Sequence, residues 1–200
     1  MAKVYNSEEG YDIYADHYDA SLAFLDGFER DRLLAMMGDV SGKRVLDVGC
    51  GTGRMIENLK KFGAKTVGLD VSKEMLRVAR KKFLSTELVL GEVENLPFED
   101  LTFDMVIATF VIVHLADLRL AFEEVYRVLK DDGIFILTNI NQRKAPKLKI
   151  GKDEIVIKSF YHRPEIVLQE LKDCFFEIEK EEFIDQEGTW INQIVKVRKG

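Results

Sequence analysis

The chain has 200 residues, 46% of them hydrophobic, a formal net charge of −6 and two cysteines; that length suits one domain, which buries roughly 70% of its unfolded surface without disulfide staples. The acidic balance and the lack of a basic patch argue against nucleic acid as a partner, and Cys50 and Cys174 read as small buried residues rather than a disulfide framework. No apolar run reaches membrane-spanning length and no basic-then-apolar leader is seen, so a soluble, cytoplasmic protein without stable membrane insertion is expected.

Residues 1–10 read as a mobile lead-in. From Glu9 to Ala23, Tyr11, Ile13, Tyr14, Ala15, Tyr18 and Leu22 follow helical spacing. Tyr11, Tyr14 and Tyr18 share one face, which on its own terms is a packing stripe. A second helix is expected from about Phe24 to Met37, with Leu25, Phe28, Leu33, Leu34 and Met37 inward. Gly38 and Gly42 then break the chain.

Val45, Leu46 and Val48 form a short β-branched run that reads as a buried parallel strand. Gly49, Gly51 and Gly53 follow at alternate positions and leave no Cβ between backbone and ligand. Arg54 to Phe62 then carries helical periodicity through Met55, Leu59 and Phe62. Strand, glycine loop and helix together put bare backbone and a positive helix N-terminus beside a bound small molecule. A dinucleotide fingerprint needs its third glycine at position 54, where Arg54 stands. Asp47, two residues before the first glycine, repels a pyrophosphate and favours a ligand bearing an ammonium or a sulfonium. S-adenosylmethionine carries both, and its carboxylate suits the helix N-terminus. Asp47 can also cap the loop through its backbone amides, and the two roles are compatible.

Lys65 to Leu69 reads as a second strand ending in Asp70. An acid at that position hydrogen-bonds ribose hydroxyls in adenosine-cofactor folds. Ser72, ahead of Asp70, is also a candidate N-cap for a helix from Lys73 to Phe83 that offers Met75, Leu76, Val78, Ala79 and Phe83 for packing. Glu87 to Leu90 is the third strand, and the loop Gly91 to Asp100 is too short for a helix of normal length. Phe103 to Thr109 is the fourth strand. Ligands sit beyond the carboxyl ends of parallel strands, so Thr109, Phe110 and His114 lie nearer the chemistry than Asp104, which reads as structural. Asp117 is expected to cap a helix with Leu120, Ala121, Val125, Val128 and Leu129 inward, and Ile134 to Thr138 is the fifth strand.

Beyond it, Asn141 to Lys152 is a polar connector whose lysines read as a solvated surface. Glu154 to Tyr161 is a strand or lid, and Pro164 opens a helix to about Lys172. Phe175 to Phe183 and Trp190 to Val197 are two last strands joined by the turn Asp185 to Gly188. No Cys/His spacing suggests a metal site. His114 leads the candidate catalytic bases, ahead of His17, Tyr18, Tyr161 and His162.

Five blocks in this order resemble the class I S-adenosylmethionine-dependent methyltransferases, and above all the small-molecule type that includes the ubiquinone/menaquinone-biosynthesis enzymes. They are Val45 to Gly53; Val67 to Ser72 with Met75-Leu76; Gly91 to Phe98; Phe103-Asp104-Met105-Val106; and Glu124 to Lys130. The resemblance runs from about Tyr11 to Leu137. It implies an α/β, Rossmann-like, doubly wound fold: a mostly parallel seven-stranded sheet with a C-terminal antiparallel strand and an N-terminal helical cap. Within one domain it implies a cap over 1–40, a cofactor core over 41–140 and a substrate side over 141–200.

The resemblance also implies S-adenosyl-L-methionine as cofactor and a small-molecule acceptor. Tyr18, and less firmly Tyr11, would line the methyl-donor pocket, and Met75 would touch the adenine. Glu92, where the family more often has Asp, would accept from the adenine amino group beside the Val93 N–H. With Asp47, Gly49, Gly51, Gly53, Asp70, Val71 and Thr109 these form the expected cofactor set, and His114 is the expected catalytic residue. Phe110 and Val111 replace residues that are often small or polar, which implies an apolar mouth. Lys130-Asp131-Asp132-Gly133 replaces the usual Lys-Pro-Gly-Gly, with Gly133 left to supply the left-handed turn. There is no Asn/Asp-Pro-Pro-Tyr motif and no Pro-Cys nucleophile pair, the marks of base methyltransferases. Two alternatives stand beside this reading: a non-catalytic S-adenosylmethionine-binding regulatory module and, disfavoured by Arg54 and Asp47, a nicotinamide-dependent oxidoreductase.

Overall fold

A computed structural model describes residues 2–200; Met1, the first residue of the expected lead-in, lies outside them. The rest of that lead-in is not a loose segment. It forms strand β1 (Lys3–Tyr5) and the start of helix α1 (Ser7–Tyr18), which Asn6 caps by accepting the Glu9 N–H at 2.8 Å. A 3-10 turn over Asp19–Ser21 leads to α2 (Leu22–Asp26) and α3 (Arg30–Met37). The single helix expected from Phe24 to Met37 is therefore interrupted between Asp26 and Arg30. Gly27 is the weak helix former there, and the interruption turns Glu29 into the core at 2% exposure.

The core follows as β2 (Arg44–Val48), α4 (Arg54–Lys61), β3 (Lys65–Asp70), α5 (Lys73–Lys82), β4 (Glu87–Leu90), β5 (Phe103–Ala108), α6 (Arg119–Val128) and β6 (Leu129–Ile140). A hairpin of β7 (Lys147–Ile150) and β8 (Asp153–Ile157), helix α7 (Pro164–Asp173) and strands β9 (Phe176–Gln186) and β10 (Thr189–Lys199) complete the chain. The large sheet has the order β4-β3-β2-β5-β6-β10-β9. Its first five strands are parallel, and β10 runs antiparallel to both β6 and β9. This is the Rossmann-like architecture with a reversed terminal strand. The inner parallel strands β2, β3 and β5 are largely buried on both faces, unlike the edge strand β4, which is why they read as continuous apolar runs. On one side Leu46, Val106 and Phe135 pack with Phe122, Val125 and Leu171. On the other, Val45, Ile107 and Ile136 pack with Leu33, Met37, Met55 and Leu59. Phe62, at the end of the expected periodic stripe, is exposed instead.

Strand β6 begins five residues before the expected start at Ile134. Asp132 (φ 59°), not Gly133, takes the left-handed conformation there. Gly133 is required for space: a Cβ would lie 2.6 Å from the Lys130 carbonyl oxygen. Asp104 is structural as expected, accepting from the Arg44 N–H at 2.8 Å and from Lys130 Nζ at 2.7 Å. Among the described residues no helix is long and apolar enough to cross a membrane.

A second, three-stranded sheet pairs β1 parallel to β8 and β8 antiparallel to β7. Gly10 lets α1 settle on it, since a Cβ there would sit 2.6 Å from Ile157 Cγ1. The loop 91–100 is clamped by Arg127, which donates to the carbonyls of Leu96 (2.9 Å) and Phe98 (2.8 Å) and pairs with Glu124 and Asp100. Replacing Arg127 by Met should cost about 2–3 kcal/mol in urea unfolding, because two loop carbonyls and the Glu124 carboxylate lose their donor together. A loss under about 0.5 kcal/mol would show that the clamp is ornamental.

Candidate functional site

A cavity of about 240 Å³ opens at the carboxyl ends of β2, β3 and β5, with α1 over it. The structure brings Tyr18, Gly49, Gly51, Asp70, Val71, Met75, Glu92, Val93, Thr109 and His114 together on its walls. Tyr11, Phe110 and Val111 also face it, as do Ser7 and Glu94, which the sequence did not single out. Two expected members stand apart. Gly53 is the N-cap of α4 in the left-handed region (φ 94°) and shapes the loop from behind. Asp47 faces a much smaller adjoining cavity that shares Tyr18, Gly49, Thr109 and Phe110 with the first.

The glycine loop is held by Asp70. Its Oδ2 accepts the Gly51 N–H at 2.7 Å and its Oδ1 accepts the Ser72 N–H at 2.9 Å. Ser72, not Asp70, caps α5, its Oγ accepting the Met75 N–H at 3.1 Å. Ser72 Oγ in turn donates to Asp12 of α1 at 2.7 Å. Gly49 and Gly51 have φ of 63° and 55°, and a Cβ on Gly49 would lie 2.5 Å from Val111 Cγ2. Burial pushes the Asp70 carboxyl up to about 6, the Ser72 and Gly51 N–H groups working against it.

Asp47 does not cap the loop, contrary to one of its two expected roles. It is 1% exposed, and both carboxylate oxygens are buried without a hydrogen-bond partner among the described residues. Burial pushes its carboxyl up to about 8, the nearby Arg54 charge offsetting only part of the effect.

Arg54 is a hub. Its guanidinium pairs with Glu29, lies 3.5 Å from Asp26, donates to Thr109 Oγ1 at 3.0 Å and sits over the Phe110 ring at 5.2 Å. Burial works against its charge, but Glu29 outweighs this and holds the guanidinium above its usual range. One side chain thus ties the start of α4 to the N-terminal cap and to the exit of β5.

His114 Nδ1 lies 3.0 Å from the Lys158 carbonyl oxygen, which can only accept, so Nδ1 carries the proton. Nε2 then accepts from the Tyr11 hydroxyl at 2.8 Å. Burial lowers the His114 pKa, which keeps the ring neutral at pH 7. Of the other candidate bases, Tyr18 shares the cavity wall and the rest are elsewhere. His162 Nε2 lies 3.0 Å from the carbonyls of both Ile112 and Leu115 and pins a turn. His17 stacks on Tyr14, and Tyr161 lines a different cavity.

Residues 46–137 match the family model described as a methyltransferase domain. Over those residues the chain is similar to methyltransferase domains. It is 38% identical over 109 residues to a demethylmenaquinone methyltransferase of Chlorobaculum tepidum, covering 54% of this chain and 45% of that protein. To a malonyl-[acyl-carrier protein] O-methyltransferase of Serratia marcescens it is 32% identical over 126 residues, covering 63% of this chain and 49% of the relative. The chain thus spans about half the length of the curated relatives it matches. An S-adenosylmethionine-dependent methyltransferase from Mesorhizobium loti shares its fold, with a TM-score of 0.73 at 21% identity over 87% of this chain and 99% of that one. The resemblance to the class I S-adenosylmethionine-dependent methyltransferases holds.

The chain keeps the expected loop, and its departure lies in Arg54. Sequence reading noted Arg54 only as a missing glycine. A signal was there: a cation at the first residue of a helix opposes the helix dipole and needs acids nearby. Asp26 and Glu29 are those acids.

The partnerless Asp47 carboxylate also predicts how stability follows pH. Its pKa is about 8 in the folded protein against 3.8 for an ordinary aspartate, so the folded protein holds this proton more tightly than the unfolded chain. The stabilisation is complete below about pH 4 and is lost as pH rises toward 8. Asp47→Asn should therefore be more stable than the ligand-free parent by about 2–5 kcal/mol at pH 8, with the gap closing near pH 4. Denaturant unfolding at the two pH values measures this; a less stable variant at pH 8 would contradict it.

Proposed function

We propose that this chain binds S-adenosylmethionine and transfers its methyl group to a small-molecule acceptor. The observation that carries the reading is the Asp47 carboxylate, buried with both oxygens partnerless beside a glycine loop. A buried anion is costly until a cation meets it. A nucleoside bearing an ammonium and a sulfonium supplies that cation. A pyrophosphate would add negative charge beside Asp47, Asp70 and Glu29.

The residues fit such a ligand. Gly49 and Gly51 leave the backbone bare where a Cβ would intrude. Each Asp70 oxygen uses one lone pair on the protein and keeps another for a ribose hydroxyl. Glu92 and the Val93 N–H would take the adenine edge, with Val71 and Met75 against the ring. Tyr18 and Thr109 would wall the methionine end. When bound, the cofactor supplies an already activated methyl group.

The chain's share of the chemistry is positioning and proton removal. As an acceptor hydroxyl gives its proton to Tyr11 Oη, Tyr11 passes its own to His114 Nε2, and the Lys158 carbonyl keeps the ring in the receiving tautomer. The relatives are named for demethylmenaquinone and for a malonyl group on acyl-carrier protein, which supports a small acceptor rather than a nucleic acid.

Calorimetric titration with S-adenosylmethionine should show wild-type binding, weakened about tenfold or more in Asp70→Ala. Absence of wild-type binding at millimolar cofactor would end the reading. Affinity should rise with pH up to about 8, with a proton released on binding, because the ligand cation needs Asp47 ionised. Tyr11→Phe and His114→Gln should each slow turnover by about 10²-fold while cofactor affinity stays within about threefold. If labelled methyl donor transfers nothing to any compound in a metabolite extract, the chain is a binding module instead.

A further inference from the structure

A second cavity, of about 750 Å³, lies outside the methyl-donor site. Its walls are Arg143, Tyr161, Arg163, Phe183 and Trp190, with Pro164 and Glu165 of α7 completing it. That size is within the range of small-molecule pockets. Three aromatic rings make one continuous face: Tyr161 and Trp190 are 6.4 Å apart and tilted by 33°, and Phe183 meets Trp190 edge-on at 6.0 Å. The Arg143 guanidinium lies over the Tyr161 ring at 5.0 Å. Neither Arg143 nor Arg163 has an ion-pair partner among the described residues, so both keep donors for an incoming acceptor. Glu165 is the one acid on the wall, which leaves the cavity with a surplus of one positive charge.

The surroundings extend that surplus. Between Asn141 and Arg163 the chain carries seven lysines and arginines against two acids, Asp153 and Glu154, in a protein of formal net charge −6. Only Lys147 of these cations is in an ion pair, with Glu154, among the described residues. A positive cleft on a negative protein concentrates anions at that place. Planar guanidinium forks match carboxylates and other oxyanions, while the aromatic face matches a flat ring.

We propose that this cavity is a binding site for an anionic, ring-bearing small molecule, its oxyanion held by Arg143 and Arg163 and its ring laid against Tyr161 and Trp190. The site lies beside the methyl-donor cavity without being part of it. Segment 158–163 separates the two and is pinned to the His114 turn by the Phe160 N–H to the Val113 carbonyl (2.7 Å) and by His162.

Trp190 is the only tryptophan in the chain, so its indole N–H gives a single resonance in nitrogen-labelled protein and reports on this cavity alone. The experiment titrates 4-hydroxybenzoate and its uncharged isostere 4-hydroxybenzamide, with and without saturating S-adenosylhomocysteine. The benzoate should shift the Trp190 resonance to saturation and the amide should bind about fivefold or more weakly. The Arg143→Gln, Arg163→Gln double variant should lose that preference while keeping a dispersed, folded spectrum. S-adenosylhomocysteine should leave the benzoate affinity within about threefold. Equal binding of acid and amide, a preference that survives the double variant, displacement by S-adenosylhomocysteine, or no shift up to about 10 mM would each overturn the assignment. None of these results bears on whether the donor site binds S-adenosylmethionine, which the calorimetry decides separately.

Discussion

The Asp70 carboxylate takes the Gly51 N–H on one oxygen and the Ser72 N–H on the other. Two neighbouring parallel strands, β2 and β3, therefore deliver their exits to one point. The glycine loop could adopt many conformations if left alone, since glycines permit nearly all of them. A buried acid with fixed partners removes that freedom. From this anchor the site is built outward: Ser72 caps α5 and reaches Asp12, which brings α1 across the top, and the floor and the roof of the cavity share one chain of polar contacts.

Opposite Asp70, the charges are deliberately unbalanced. Arg54 pairs with one oxygen of Glu29 and approaches Asp26, and Asp47 is left without a hydrogen-bond partner on either oxygen among the described residues. In the ligand-free protein that arrangement is unfavourable, as the rise of the Asp47 carboxyl to about 8 expresses. On the proposed function, a ligand cation would relieve it, and the stability given up at Asp47 would return as preference for a positively charged ligand.

Much of this was legible from residues alone, for physical reasons that differ from place to place. Strands β2 and β5 are covered on both faces, so their runs are unbroken and easily read. Asp47, Asp70 and the three glycines occur in a short order that few structures other than a strand-loop-helix can use. Strand β1 was not legible: three residues become a strand only by pairing with β8, far along the chain. The interruption after Asp26 hid inside a plausible helical stripe, because periodicity does not register a glycine that chain reversal exploits. At Asp132 the family pattern pointed to the neighbouring glycine, yet Asp132 is the left-handed residue and Gly133 is needed for the space beside the Lys130 carbonyl.

The peptide at Lys158 has a consequence that reaches across the molecule. Its N–H donates to the Tyr5 carbonyl at 2.8 Å, and its own carbonyl accepts from His114. Any displacement that peels β8 from β1 also withdraws the group that decides which imidazole nitrogen is protonated. The seam between β1 and β8 and the tautomer of His114 thus rest on one residue, and a change that shifts Lys158 disturbs both.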